Sequence, residues 1–120
     1  MSAGASELLA RYRSWGVQVP RRKELSAELD KPDKEITALL GRLLEAGQLV
    51  RINSDYYLAD TTVVELRDKL TRHLDSHGQI TPAEWKGITG ASRKYSIPLA
   101  EYFDKEKLTL RVGDVRKRRG

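Results

Sequence analysis

The 120-residue sequence predicts a mainly α-helical protein with small β-hairpins, built as two successive copies of one plan. Apolar residues recur at spacings of three and four through most of the chain, the mark of amphipathic helices. Short strand-like runs flank two turn-forming clusters, near residues 53–55 and 113–114, as hairpins require. The order of elements in residues 1–60 then returns in residues 61–120.

In the first copy, Leu8, Leu9, Tyr12 and Trp15 make the apolar stripe of a helix over residues 7–15, which Gly16 ends. A second, short helix over residues 21–29 buries Leu25 and Leu29. Asp30 and Pro32 then open a third, with Asp33 and Glu35 in the first turn, where the helix dipole favours acids. Ile36, Leu39, Leu40, Leu43 and Leu44 form its buried stripe and Gly47 ends it. Strands over 49–52 and 56–58 enclose Asn53, Ser54 and Asp55 as a hairpin.

The second copy repeats this order. Val63, Val64, Leu66, Leu70 and Leu74 mark a helix closing at Gly78, and a short helix follows near residues 82–88, with Trp85 assigned to the core. A third helix carries Leu99, Tyr102 and Phe103, and a hairpin over 108–112 and 115–119 turns at Gly113 and Asp114. Trp15-Gly16 with Pro20 parallels His77-Gly78 with Pro82, although no fixed register aligns the helices throughout. Three helices and a two-stranded wing define a winged helix, a helix-turn-helix variant that commonly binds nucleic acid and also serves in protein docking. Residues 1–60 and 61–120 are therefore read as tandem winged-helix modules.

Hydrophobic residues at 39% and charged residues at 32% suit a folded chain with a heavily charged surface. There is no apolar run near the roughly 20 residues of a membrane span, and the first residues lack a signal-peptide layout. A cytoplasmic monomer without membrane contact is expected. The absence of cysteine excludes a thiolate metal site, and two histidines, His73 and His77, are too few for most imidazole sites, so neither metal nor cofactor is expected. Those histidines lie one helical turn apart and read as a solvated helix end; with no clustered carboxylates beside them, catalysis is not expected.

The net charge of +5 favours an anionic partner. Residues 1–60 hold nine Lys/Arg against nine Asp/Glu, and residues 61–120 hold thirteen against eight. The first module is accordingly neutral and the second basic, the one expected to meet the anionic partner. Within the last hairpin, a Gly-Asp type II′ turn would pair Val112 with Val115, Arg111 with Arg116, Leu110 with Lys117 and Thr109 with Arg118. Alternation puts Thr109, Arg111, Arg116 and Arg118 on one face, read as the cationic side, and Leu108, Leu110, Val112 and Val115 on the other, read as the core side. Arginines facing one another weaken a strand pair unless an anion neutralises them, which points to nucleic-acid phosphate; a solvated basic edge that deters aggregation is the alternative.

A second cationic cluster opens the third helix of this module, where Ser92 is placed as N-cap and Arg93, Lys94 and Tyr95 follow. Cations there oppose the helix dipole, and a bound phosphate would reverse the balance. Tyr95 either stacks on an unpaired base or packs beneath the helix. Pro98 should kink this helix or make it restart near Ser96.

The run Ser92-Arg93-Lys94-Tyr95-Ser96-Ile97-Pro98-Leu99, then Glu101-Tyr102-Phe103-Asp104, Thr109, Arg111-Val112-Gly113-Asp114 and Arg116, resembles the extreme C-terminus of the bacterial selenocysteine-specific elongation factor. The resemblance extends over essentially the whole chain, and its last 30 residues are the distinctive part. It implies the two final winged helices of a specialised translational GTPase that decodes UGA as selenocysteine. The last of these holds the selenocysteine insertion hairpin of the messenger RNA, and the full-length factor brings in the ribosome. Carried over by motif position, Ser92, Arg93, Lys94 and Tyr95 would meet the RNA loop and its flanking phosphates, while Thr109, Arg111, Gly113, Asp114, Arg116 and Arg118 belong to the wing side of that RNA site. Arg118 lies where the pattern matches less well. No phosphate-binding loop occurs in the chain, so it is not expected to bind or hydrolyse GTP. The rival reading is a DNA-binding winged-helix transcription regulator whose arginine-rich wing enters a minor groove.

Overall fold

The structure, a computed structural model, describes residues 3–119 and divides into two compact units, with the division between Val63 and Val64. The first unit begins with α1 (Ala3–Trp15), which buries Ala5, Leu8, Leu9 and Tyr12. It starts ahead of the expected residue 7, because Ala3 and Ala5 are strong helix formers and Ala5 continues the buried stripe. At Gly4 the packing on the third helix is close: a Cβ there would lie 3.3 Å from a methyl of Leu39. A 3-10 turn (Arg22–Glu24) leads into the short α2 (Leu25–Leu29), and α3 (Asp33–Glu45) buries Ile36, Leu39, Leu40 and Leu43. Leu29 and Leu44, expected in the core, are only partly buried.

Strands β1 (Leu49–Asn53) and β2 (Tyr56–Ala59) form an antiparallel hairpin in which all of β2 is buried. Asp55 N–H donates to Asn53 Oδ1 at 2.9 Å and tightens its turn. Four of the nine cations of this unit are paired on its own surface: Arg22 with Asp33 at 2.8 Å, Lys31 with Glu35 at 3.4 Å, Arg13 with Asp60 at 3.6 Å and Arg21 with Asp55 at 3.7 Å.

No linker marks the expected boundary between residues 60 and 61. Helix α4 (Asp60–His77) begins directly at the end of β2, so the division of the two units lies inside a helix. The Asp60 carboxylate accepts from the Thr61 N–H at 2.8 Å and adds a negative charge at the helix start, which explains why helix begins where a junction was expected.

After α4 the second unit forms β3 (Gln79–Ile80), α5 (Pro82–Thr89), α6 (Arg93–Lys105), β4 (Thr109–Val112) and β5 (Val115–Arg118). The strand β3, not foreseen from sequence, pairs with β5 through Gln79 with Lys117 and Ile80 with Arg116, giving a three-stranded sheet in the order β3-β5-β4. Two residues are too few to show alternation. Thr81 and Glu84 form a full capping box ahead of α5: Glu84 N–H donates to Thr81 Oγ1 at 3.1 Å and Thr81 N–H to Glu84 Oε1 at 2.9 Å. Gly90, at φ +65°, ends α5 and leaves Ala91 and Ser92 to turn the chain into α6. Leu66, Leu70, Leu74, Trp85, Leu99 and Phe103 fill the core. Among the described residues no helix is long and apolar enough to cross a membrane.

Candidate nucleic-acid interface

Helices α5 and α6 are fastened by Trp85, whose ring meets Phe103 edge-on at 5.8 Å. Its indole N–H donates to the Ser96 carbonyl at 2.8 Å. This buried bond lies beside Pro98, which sits inside α6 as one continuous helix rather than causing a restart. Having no N–H, Pro98 cannot donate to the Lys94 carbonyl one turn earlier, yet α6 runs on past it to Lys105. Ser92 occupies the N-cap position, yet its side chain makes no capping hydrogen bond. Ser92, Arg93 and Lys94 are exposed and Tyr95 is half-buried, with Lys94 Nζ 5.2 Å from the centre of its ring.

On the wing, the four expected strand pairs all form: Thr109 with Arg118, Leu110 with Lys117, Arg111 with Arg116 and Val112 with Val115. Gly113 takes φ +63° at the first turn position, as the Gly-Asp turn demands. The assignment of the two faces, however, is reversed. Thr109 is fully buried and donates its hydroxyl to Asp104 Oδ1 at 2.6 Å, while Leu110 and Val112 are 50% and 46% exposed. The reason is Asp104 on α6. Its carboxylate takes the Thr109 hydroxyl and the Arg116 fork, Nε at 3.1 Å from each oxygen and Nη2 at 3.0 Å from Oδ2, so Thr109 and Arg116 pack inward while Arg111 and Arg118 stay exposed. Arg118 is likewise held by Asp75 of α4. The inference that the wing arginines need an external anion therefore fails for Arg116 and Arg118, which the fold neutralises itself.

Arg111 is different. It has no carboxylate partner among the described residues; its Nε donates to the Gly113 carbonyl at 3.1 Å, which folds the side chain over its own turn. It lines a cleft of about 720 Å³ bounded by α5, α6 and the wing. Lys86, Arg93, Arg111 and Arg116 contribute the cations of this cleft, Glu101 and Asp114 its carboxylates, and Trp85, Ile80 and Ile97 part of its apolar lining. Neither Lys86 nor Arg93 has an ion-pair partner among the described residues. Of the residues expected at an RNA site, Arg93, Arg111, Asp114 and Arg116 share this cleft. Ser92, Lys94 and Tyr95 lie at the adjoining helix start, Gly113 at the wing turn, Thr109 in the interior, and Arg118 against α4. Lys86, Glu101 and Asp104 were missed. Asp104 stood within the Glu101-Tyr102-Phe103-Asp104 run, and a carboxylate shortly before an arginine-rich hairpin was the available signal.

Of the histidine pair, His77 is exposed at the end of α4 as expected, whereas His73 is half-buried. The His73 and His77 rings stack at 4.3 Å, and His73 Nε2, largely covered, lies 3.4 Å from Glu84 Oε2. That separation is an ion-pair distance without hydrogen-bond geometry. Hydrogen bonds from the Thr81 main chain and side chain, then the nearby imidazoles, hold the Glu84 carboxyl below its ordinary range.

Helix, turn, helix and a three-stranded wing define a winged helix, here with cations along the intervening cleft. Residues 72–118, which run from the end of α4 through the wing, match the family model described as "Elongation factor SelB, winged helix", and this part of the chain is a winged helix of that family. The selenocysteine-specific elongation factor of Desulfomicrobium baculatum is 31% identical over 106 residues, covering 88% of this chain. The chain spans 17% of the length of that relative. Two solved structures share the fold: the mRNA-binding domain of elongation factor SelB from E. coli in complex with SECIS RNA, and a bacterial selenocysteine-specific elongation factor, EF-Sec. The first superposes with a TM-score of 0.77 at 21% identity over all of both chains. The second gives 0.77 at 20% identity, over 99% of this chain and 19% of that one.

Proposed function

We propose that this chain is the RNA-binding part of a selenocysteine-specific elongation factor, a binding module without catalysis or cofactor that holds a selenocysteine insertion hairpin of messenger RNA. The observation that carries the reading is one cleft onto which Arg93, from a helix start without acids, and Arg111, from the wing, both face without carboxylate partners. Neither cation is neutralised by a carboxylate among the described residues, and phosphate between them would supply the missing counter-charge. A-form RNA hides its major groove, so a hairpin loop read by helix start and wing suits this geometry better than a helix laid in a groove. The SECIS RNA bound by the E. coli domain that shares this fold, and the elongation-factor relative, support this choice of ligand and setting.

In this reading Ser92, Arg93, Lys94 and Tyr95 meet the loop and its phosphates, with Arg111, Gly113 and Asp114 opposite them. Thr109, Arg116 and Arg118 support the wing. The first unit, whose nine Lys/Arg are balanced by nine Asp/Glu, is a spacer toward the rest of a cytoplasmic, full-length factor and the ribosome. Labelled SECIS-type hairpins titrated against duplex DNA of equal length, at one fixed salt concentration, test it. Hairpins are expected to bind at least about tenfold more tightly. Preference for duplex DNA would overturn it in favour of a transcription regulator, and binding to neither would overturn it in favour of protein docking.

A further inference from the structure

Asp104 is where α6 and the wing are joined. Its carboxylate binds the fully buried Thr109 hydroxyl on β4 and the guanidinium of Arg116 on β5, whose side chain is only 18% exposed. Arg116 stands directly across the strand pair from Arg111, and both line the cleft. A like-charged cross-strand pair repels, and an unrestrained Arg116 would offer the cleft a further guanidinium. Phosphate contacts raise affinity for any nucleic acid, whereas discrimination depends on groups held in fixed positions. Asp104 acts on both: it fixes the wing to the helix that carries Arg93, and it withholds one of two facing arginines from solution.

We propose that Asp104 is a specificity-determining positioning residue, which sets the wing against α6 through Thr109 and Arg116 and keeps Arg116 from becoming an indiscriminate phosphate contact. This rests on the RNA-binding reading above. A residue that merely stabilised the fold would, on replacement, weaken hairpin and non-specific binding together. Asp104 is expected to move them in opposite directions.

The test compares the 120-residue chain with its Asp104→Asn and Arg116→Gln variants, using a panel of SECIS-type hairpins and scrambled, unpaired RNA of the same length across a salt series. For Asp104→Asn, affinity for scrambled RNA is expected to rise, with a salt slope steeper by about 0.7, the value for one added single-strand phosphate contact. The hairpin-to-scrambled ratio should fall about tenfold. For Arg116→Gln the ratio should fall similarly without any gain on scrambled RNA, and this variant decides the matter if Asp104→Asn does not fold by circular dichroism. An unchanged ratio in the folded variants, or parallel loss on both RNAs, overturns the proposal while leaving hairpin binding standing. Failure of the unaltered chain to prefer any hairpin over scrambled RNA overturns the RNA-binding reading itself, and this proposal with it.

Discussion

The Trp85 indole N–H donates to the main-chain carbonyl of Ser96 at 2.8 Å, so the core side chain of α5 is bonded to the early turns of α6 that follow Arg93. Lys86 and Arg93, on the two helices so joined, line the same cleft. Trp85→Phe keeps an aromatic ring near Phe103 but leaves a buried carbonyl without its indole donor. Urea unfolding is expected to show a loss of about 1–3 kcal/mol, and hairpin affinity should fall with it. An unchanged unfolding midpoint would show that the bond does not hold the two helices.

Arg93 sets stability against binding. The first turn of α6 contains no acid, whereas that of α3 contains Asp33 and Glu35. Arg93→Glu should therefore raise unfolding free energy by about 0.3–1 kcal/mol, by removing a charge that opposes the helix dipole and adding one that it favours. Hairpin binding should weaken by more than about tenfold, and Arg93→Ala should lower the magnitude of the salt slope by about one. Equal hairpin affinity in both variants would remove Arg93 from the interface.

Local patterns made most of the fold legible. Helix stripes such as Ile36, Leu39, Leu40 and Leu43 report their own burial, and the Gly113-Asp114 turn fixes its strand register by geometry alone, which is why all four wing pairs were correct. What failed was the choice of face. Leu110 and Val112 are more apolar than Thr109 and Arg116, and only the tertiary placement of Asp104 makes the polar side the inner one. The start of α4 at Asp60 was hidden because the polar Asp60, Thr61 and Thr62 precede Val63, where the apolar stripe begins. Of the candidate site, the helix-start cations and Arg111 were legible as charges without local partners. Lys86 and Glu101 were not, because they reach the cleft only through the packing of α5 on α6.

Glu84 gives the second unit an acid-sensitive cap. Its folded carboxyl titrates below the ordinary value of 4.5, chiefly because it accepts from the Thr81 main chain. A depressed carboxyl contributes stability that is present above its unfolded pKa and is lost as pH falls through the folded one. Glu84→Gln retains an acceptor for the capping box but does not titrate. Thermal unfolding measured from about pH 7 down to about pH 3 should show the advantage of the unaltered chain over this variant shrinking below the ordinary carboxylate range. A difference that stays constant with pH would mean that the charge adds nothing to the cap.

Tyr12, on the core face of α1, is fully buried, and its hydroxyl has no hydrogen-bond partner among the described residues. Burial, and then Tyr57, pushes the phenol far above its usual range, so it remains neutral at ordinary pH. Tyr12→Phe removes a desolvated hydroxyl while leaving the ring against Trp15, where the two centroids are 5.2 Å apart. The unfolding free energy is expected to stay level or rise by about 1–2 kcal/mol, in contrast to the loss that usually follows deletion of a bonded tyrosine hydroxyl. Because Tyr12 belongs to the first unit, hairpin affinity should be the same in the variant. A clear loss of stability would show that the hydroxyl is satisfied in solution, and a clear loss of affinity would extend the RNA-binding surface beyond the second unit.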